Sequence, residues 1–226
     1  MKPDADGRAV LWDMDGTLVD TGELHFAAWR QLMQELNRPF TRADFAVTFG
    51  LRNPEIFEHL FGKGHFDTQR VAALGDRKEE IYRAAAGQGV TLLPGVRALL
   101  EGLHAAGFKQ AVGSSAPRAN LELILRLTDT QPFFDAVVSM EDTQRGKPDP
   151  QVFLVAAQKL GVPPARCVVI EDAVAGVQAA RAGGMKCMAV RFVGHHPADK
   201  LQAAGADLVV PSLADVSVET VRRLLA

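Results

Sequence analysis

Short apolar runs alternate with helical patterns over most of the chain. The first run, residues 8–12 (RAVLW), ends at Asp13 and predicts a buried strand. Later runs predict strands over residues 108–113, 136–139, 167–170, 185–190 and 207–210. Between them lie patterns such as Val96, Leu99, Leu100 and Leu103, which have the spacing of an amphipathic helix. This alternation predicts an α/β fold in which helices cover both faces of a parallel sheet.

Two of the predicted helices carry end signals. Asp149-Pro150 is typical of an N-cap followed by proline at the first helical position, so a helix is predicted to start at Pro150. Gly183-Gly184 predicts the end of a helix that begins near Ala173.

Residues 21–89 interrupt the alternation, because they contain no convincing strand pattern. Apolar residues repeat every four positions at Leu24, Ala28, Leu32 and Leu36, and Trp29 and Met33 widen that face. Further helices are expected around Ile56, Leu60 and Phe61 and over residues 71–86. We therefore predict a catalytic core formed by residues 1–20 and 90–226, with an all-helical insert at 21–89.

Composition narrows the possible functions. The chain of 226 residues is 47% hydrophobic and has a formal net charge of -2, so it can build a sizeable core and has no basic footprint for nucleic acid. No apolar run approaches the ~20 residues of a transmembrane helix. The first residues, MKPDADGR, are not typical of a signal peptide. Cys167 and Cys187 lie in apolar stretches and are expected to be buried thiols in a reducing cytosol. We expect a cytoplasmic monomer with no membrane partner.

Four loops that follow predicted strands hold the candidate chemistry. They contain Asp13-Met-Asp15-Gly-Thr17, Ser114-Ser115, Gly146-Lys147-Pro148 and Glu171-Asp172. In open α/β sheets, ligands bind outside the carboxyl ends of the strands. These loops are therefore expected to converge on one site.

The residue types fit the transfer of a phosphoryl group. A carboxylate that attacks a phosphate monoester is repelled by roughly 4 kcal/mol at ~4 Å and an effective dielectric of about 20. Mg²⁺ held by Asp13 and Asp172, with Glu171 as a further candidate ligand, would offset that repulsion. Lys147 would hold charge on the transferred group, and Ser114 would bind a phosphoryl oxygen with help from amides at the start of the next helix. Asp15 could protonate the leaving oxygen.

At these residues the sequence resembles the haloacid dehalogenase (HAD) superfamily, whose phosphotransferases carry DxDGT, a Ser/Thr, a Lys and a paired acidic motif in this order. The resemblance covers essentially the whole chain. It implies a Rossmann-like three-layer core with a parallel sheet and an inserted all-helical cap. It also implies Asp13 as the nucleophile, Asp15 as the general acid/base with its backbone carbonyl on magnesium, Ser114 and Lys147 at the phosphate, and Asp172 as a metal ligand, with Glu171 next to the metal.

Within the superfamily, the chain is similar to the β-phosphoglucomutase-like branch. The segment from Asp20 to Trp29 resembles the first cap helix of that branch, whose histidine corresponds to His25, and the segment around Lys78 resembles the one whose lysine contacts the substrate. Arg52 lies one position away from where the mutase has an arginine for the distal phosphate, and the tail from Arg191 to Pro197 looks more like broad sugar-phosphate phosphatases. The candidate substrate contacts in and beyond this cap are His25, Lys78, Arg52, Asn53, Ser115, Arg118 and Asn120.

Plainer explanations exist for single residues. Asp13 and Asp15 could be turn formers, Asp172 a helix N-cap and Lys147 a solvated loop lysine. His25 could be a packed or surface histidine and Lys78 an exposed helix lysine, while Trp12 and Trp29 are expected in the core.

The leading function is a magnesium-dependent phosphatase of small phosphorylated metabolites, sugar phosphates above all. The alternative is a hexose-phosphate mutase, in which a sugar hydroxyl replaces water as the acceptor. A non-catalytic binding module on the same scaffold is a third hypothesis, which the intact motif set argues against. Asp15 argues against a dehalogenase, and no P-loop or GxGxxG supports a kinase or a dehydrogenase.

Overall fold

A computed structural model describes residues 7–226, so the prediction made for the very first residues lies outside the described range. Its sheet has six parallel strands in the order β3-β2-β1-β4-β5-β6. The strands are β1 Ala9–Trp12, β2 Lys109–Gly113, β3 Ala136–Val138, β4 Cys167–Glu171, β5 Lys186–Val190 and β6 Leu208–Val210. This arrangement confirms the predicted α/β class and its parallel sheet.

The described residues divide into two compact units, which we call the sheet unit (residues 7–20 and 91–226) and the helical unit (Thr21–Val90). All six strands belong to the sheet unit. Its helices are α5 Val96–Ala105, α6 Arg118–Leu127, α7 Gln151–Leu160, α8 Val174–Ala182, α9 Ala198–Ala203 and α10 Val218–Leu224.

Side chains alternate between the two faces of the central strand β1. Ala9 and Leu11 pack in one buried cluster with residues of α7 and α8, including Phe153 and Val177. The side chain of Gln110 on β2 turns to the other face, where it accepts a hydrogen bond from Trp12 and donates one to Leu100 O of α5. The sheet is therefore covered by helices on both faces.

The helical unit consists of α1 Gly22–Glu35, α2 Arg42–Thr48, α3 Asn53–Phe61 and α4 Thr68–Ala86. Its core is rich in aromatic rings, including Phe26, Trp29 and Phe57. The sequence pattern did not predict α2. This short helix is defined by its start, where Thr41 Oγ1 accepts from Asp44 N and the Asp44 carboxylate accepts from Thr41 N.

The predicted start of α7 is wrong by one residue. Pro150 is the N-cap, and the helix begins at Gln151. The side chain of Asp149 explains the difference, because its Oδ1 accepts a hydrogen bond from Gln151 N at 3.0 Å. Asp149 thus caps the helix from the position before the N-cap residue Pro150. The helix expected between Ala173 and Gly183-Gly184 spans Val174–Ala182.

Both cysteines, Cys167 and Cys187, are buried free thiols, in agreement with the prediction. Trp12 and Trp29 are buried, also as predicted. Within residues 7–226, the helices are too short or too polar to cross a lipid bilayer.

Candidate functional site

Asp13 is fixed at the carboxyl end of the central strand. Its backbone N–H donates to Ile170 O on β4 at 3.0 Å, which continues the ladder one residue past Trp12. The chain then turns sharply through Gly16, whose φ of 86° suits glycine. The turn is closed by the Gly16 N–H, which donates to Val19 O at 2.7 Å. Asp13 therefore sits, buried, on a rigid element.

Lys147 reaches this carboxylate from a loop that is distant in sequence. Its Nζ lies 2.5 Å from Asp13 Oδ1 and 2.6 Å from Glu171 Oε1, and its side chain is buried. The lysine loop is held by Gln151, whose Oε1 accepts from the backbone N–H groups of Gln144 and Arg145. The structure therefore excludes the plainer hypothesis of a solvated lysine.

Glu171 and Asp172 form the acidic pair at the end of β4. Glu171 Oε2 accepts from the N–H groups of Asp172 and Ala173, each at 2.7 Å. Two glycines leave room for the pair, since a Cβ at Gly16 would overlap the Asp172 carboxylate and one at Gly176 would overlap the Glu171 side chain. Gly176 was missed by the sequence reasoning, because a glycine inside a helical pattern gives no sign of what approaches it.

The electrostatics of the site reflect an excess of carboxylates over cations. Burial raises the pKa of Asp13 to about 7 against the lowering effect of Lys147, and Glu171 and Asp15 raise it further. Burial, together with Glu171 and Asp13, also raises the pKa of Asp172 well above its usual range. Burial alone would lower the pKa of Lys147, but the carboxylates of Asp13 and Glu171 outweigh it and raise that pKa. Lys147 is therefore charged, and its single charge does not balance the carboxylates.

The site has the donor set of a hard cation. Oxygen atoms of Asp13, Glu171 and Asp172 all lie within 4.8 Å of one another. Carboxylate oxygens are the ligands that Mg²⁺ prefers, and a divalent ion would offset the surplus negative charge. These residues therefore fit the predicted cation. Asp15 was predicted to bind the ion through its backbone carbonyl, which stays a prediction, and its carboxylate lies close enough to raise the pKa of Asp13.

Ser114 follows β2 at the same edge of the sheet. Its N–H donates to Val138 O at 3.1 Å, and its Oγ accepts from Ala116 N at 3.1 Å. Helix α6 starts at Arg118, but the N–H of that residue donates to the carboxylate of Glu141 at 3.0 and 3.2 Å. The sequence suggested that amides at the start of this helix help Ser114, and one of them, the Arg118 amide, is already engaged.

Two other candidate substrate contacts belong to the same helix. The Arg118 guanidinium forms an ion pair with Asp142, and 38% of its side chain is exposed. Asn120 is buried inside α6. Ser115 is half-buried in the loop between β2 and α6. Contact of these three residues with a substrate stays a prediction.

The helical unit contains a polar cluster of its own. Lys78, only 3% exposed, lies with Nζ 2.8 Å from His25 Nδ1 and 3.0 Å from Glu79 Oε1. Asn53 Nδ2 donates to the same Glu79 oxygen at 2.9 Å, and the His25 ring stacks on Tyr82 at 4.1 Å. Lys78 is therefore no exposed helix lysine. His25, Lys78 and Asn53 are among the predicted substrate contacts, and their contact with a substrate stays a prediction. Nothing in the sequence pointed to Glu79 or Tyr82 as their neighbours.

Arg52 lies just before helix α3 in the helical unit. It is the N-cap of α3, half-buried, and its N–H donates to Glu55 Oε2 at 3.2 Å. Its contact with a distal phosphate stays a prediction.

The fold and the site define an α/β protein that carries a lysine among buried carboxylates at the carboxyl ends of its parallel strands. A family model described as haloacid dehalogenase-like hydrolase matches residues 8–184, and the chain belongs to this family. The resemblance drawn from the motifs is therefore confirmed.

Relatives with described activities include a mutase and a phosphatase. β-Phosphoglucomutase of Bacillus subtilis is 34% identical over 218 residues, which cover 94% of this chain and 92% of that protein. Hexitol phosphatase A of Escherichia coli is 33% identical over 221 residues, covering 93% and 94%. The crystal structure of β-phosphoglucomutase from Clostridium difficile superposes with a TM-score of 0.86 at 25% identity, covering 97% of both chains. The phosphatases among the relatives support the predicted enzyme class, a phosphoric monoester hydrolase of this family.

Proposed function

We propose that this protein is a magnesium-dependent phosphatase of small phosphorylated metabolites, sugar phosphates above all, and that it works through an aspartyl-phosphate on Asp13. The observation that carries the proposal is the contact of Lys147 with Asp13 at 2.5 Å, within a group of three carboxylates that suits a divalent cation. Such a site brings a nucleophilic carboxylate and positive charge to the same phosphoryl group.

Asp13 Oδ attacks the phosphorus atom, and the bond between phosphorus and the ester oxygen breaks. Lys147 stabilises charge on the transferred group, and Ser114 Oγ–H donates to one of its oxygens. Asp13, Asp172 and Glu171 are the side chains that would hold Mg²⁺, which when bound supplies positive charge against the repulsion between carboxylate and phosphate. Glu171 keeps Lys147 charged and directed at Asp13.

Asp15 supplies the proton for the leaving oxygen and then accepts a proton from the attacking water. It lies two residues from Asp13 at the start of the turn through Gly16, and it is half-buried. The water oxygen bonds to the phosphorus while the bond from phosphorus to Asp13 Oδ breaks, so inorganic phosphate is released and the Asp13 carboxylate is restored.

The choice of sugar phosphates draws on the family members with described activities, since hexitol phosphatase A and β-phosphoglucomutase both act on phosphorylated carbohydrates by name. A panel of hexose, pentose and hexitol phosphates, scored for free phosphate, tests this choice. Hydrolysis confined to nucleotides or phosphoproteins would contradict it.

The mechanism is tested with p-nitrophenyl phosphate. Asp13→Asn keeps the shape of the side chain and removes the nucleophile, so activity is expected to fall by at least about 10³-fold. EDTA is expected to abolish activity and Mg²⁺ to restore it. Asp199→Asn, an exposed position at the start of α9, serves as the matched control. Equal activity of Asp13→Asn and the wild type would refute the mechanism.

A second candidate is a hexose-phosphate mutase, favoured by the 34% identity with the Bacillus subtilis β-phosphoglucomutase. Both functions use the same attack by Asp13, and they differ in whether water or a sugar hydroxyl accepts the phosphoryl group. Incubation with β-glucose 1-phosphate and a trace of the 1,6-bisphosphate separates them. Glucose 6-phosphate formed without matching free phosphate would favour the mutase.

A further inference from the structure

The loop that carries Ser114 is tied to the segment that follows β3. Ala116 O accepts from Met140 N at 3.1 Å. Two residues further on, the Arg118 N–H donates to both carboxylate oxygens of Glu141, at 3.0 and 3.2 Å. The first backbone amide of helix α6 therefore binds a carboxylate from a neighbouring segment, and this negative charge suits the positive end of the helix dipole.

The side chain of Arg118 makes a second tie to the same segment. Its guanidinium pairs with Asp142 Oδ2. Asp142 is itself fixed, because Oδ2 accepts from the N–H and Oγ of Ser139 at 2.9 and 3.0 Å, and Oδ1 accepts from Lys159 Nζ at 2.9 Å. Arg118 is therefore held by its amide and by its side chain, and both acceptors belong to the 3₁₀ turn Met140–Asp142.

The other end of the loop is fixed by the sheet. Ser114 N–H donates to Val138 O, and Ser114 Oγ accepts from Ala116 N. Between Ser114 and Arg118 the chain has little freedom, since Pro117 fixes one φ angle. The Ser114 hydroxyl therefore lies on a short segment that is held by the sheet at one end and by Arg118 at the other.

The same turn leads directly into the lysine loop. Residues from Thr143 onward run to Lys147, whose loop is held by Gln151. The turn Met140–Asp142 is consequently a common support for the segments that carry Ser114 and Lys147.

We propose that Arg118 is a positioning residue, which Glu141 and Asp142 hold in place so that Ser114 stays aligned with Lys147 and Asp13, and that it does not contact the substrate. This inference rests on the proposed phosphatase function and departs from the expectation, drawn from the sequence, that Arg118 binds substrate.

A positioning role and a substrate-binding role for Arg118 predict different losses of activity when the leaving group of the ester is changed. A positioning residue affects every phosphomonoester equally, because all of them present the same phosphoryl group to Ser114. A substrate contact affects only esters whose leaving group reaches it. Arg118→Gln is therefore measured with p-nitrophenyl phosphate and with glucose 6-phosphate, together with inhibition by inorganic phosphate.

We expect Arg118→Gln to lower kcat/KM about 10- to 100-fold for both esters and to weaken inhibition by inorganic phosphate, because a small misplacement of a catalytic group is costly. Glu141→Gln is expected to act in the same direction. In a Ser114→Ala background, Arg118→Gln should cause little further loss, because both changes remove the same interaction. Arg222→Gln is the control, since its pair with Glu219 at 3.9 Å lies on the outer helix α10.

A loss confined to glucose 6-phosphate, or no loss with either ester, would overturn the inference. The inference would also be overturned if the losses of kcat/KM caused by Arg118→Gln and Ser114→Ala were fully additive in the double variant. Thermal unfolding checks that each variant is folded, and Arg118→Lys and Glu141→Gln report on the same anchor if Arg118→Gln does not fold. An inactive wild type would instead refute the proposed function, and calorimetric binding of inorganic phosphate to wild type and Glu141→Gln would still test the anchor.

Discussion

Glu171 connects Lys147 to the main chain of the acidic loop. Its Oε1 accepts from Lys147 Nζ at 2.6 Å, while its Oε2 accepts from two consecutive backbone amides at 2.7 Å. The carboxylate is thereby oriented from one side, and it directs the ammonium from the other. Lys147 is in turn 2.5 Å from Asp13, so the three side chains form one charged chain.

Glu171→Gln tests this arrangement. The amide keeps the size of the side chain but removes the charge that holds Lys147, so kcat/KM for p-nitrophenyl phosphate should fall by about 10-fold or more. Glu101→Gln, exposed on α5, is the control. Unchanged kinetics across a range of Mg²⁺ concentrations would show that Lys147 needs no carboxylate from β4.

Gly176→Ala tests the close approach of α8 to the site. Alanine is the better helix former by about 1 kcal/mol, so an open position would gain stability. Here the new Cβ overlaps the Glu171 side chain, and we expect a net loss of about 1–3 kcal/mol together with reduced activity. Gly87→Ala, at an exposed position with a helical φ, is the comparison. Chemical denaturation gives the free energies, and a stabilised Gly176→Ala would contradict the overlap.

The lowered pKa of Asp142 implies that the stability of the folded protein decreases at low pH. Burial tends to raise the pKa of Asp142, but hydrogen bonds from Ser139 and Lys159 outweigh it and lower that pKa to about 2. An unfolded aspartate titrates near pH ~3.9, so the folded state binds fewer protons here. The stability that Asp142 contributes is therefore complete above about pH 4 and is lost as the pH falls towards about 2.

Asp142→Asn should lower the free energy of unfolding at pH 7 by about 1–2 kcal/mol, after allowance for partial exposure, and by little at the acid end of that window. Urea unfolding between about pH 2 and pH 7 measures the difference. Asp199→Asn should give a curve parallel to the wild type. Equal destabilisation by Asp142→Asn at both ends would mean that its ion pair and hydrogen bonds do not depend on its charge.

Glu79 should be needed for the stability of the helical unit. It is 4% exposed and accepts from both Lys78 and Asn53 through one oxygen. Glu79→Ala leaves the Lys78 ammonium in a buried place without this carboxylate, and loss of one partner of a buried pair costs about 3–5 kcal/mol. Glu80→Ala, at the exposed neighbouring position, should change stability by less than about 0.5 kcal/mol. Similar unfolding curves for the two variants would contradict a structural role for Glu79.

The sheet was readable from the sequence because its strands are buried on both faces. Such strands appear as short continuous apolar runs, and residues 8–12 and 167–170 are clear examples. The loops after them could be assigned to one edge because parallel strands share their direction. The short helix Arg42–Thr48 escaped prediction, since seven residues give too little periodicity to read.

The contacts that complete the candidate site were harder to predict from the sequence. Glu141 accepts a hydrogen bond from Arg118, and Glu79 accepts one from Asn53. The partners are 23 and 26 positions apart in sequence, and no local pattern links the members of either pair. The role of Gly176 could not be predicted from the sequence either, because it depends on where the Glu171 side chain points. Pairings of this kind arise from tertiary packing, which a single sequence does not display.

The two buried thiols have a practical consequence. Cys167 and Cys187 belong to strands in the interior of the sheet, and burial raises the pKa of Cys167 to about 12 and the pKa of Cys187 as well. The thiolate is the reactive form of cysteine, so both side chains are poor nucleophiles while the protein is folded. The native chain is therefore a background that maleimide dyes should leave unlabelled, and a single cysteine introduced on the surface would carry a fluorophore without removal of the natural ones.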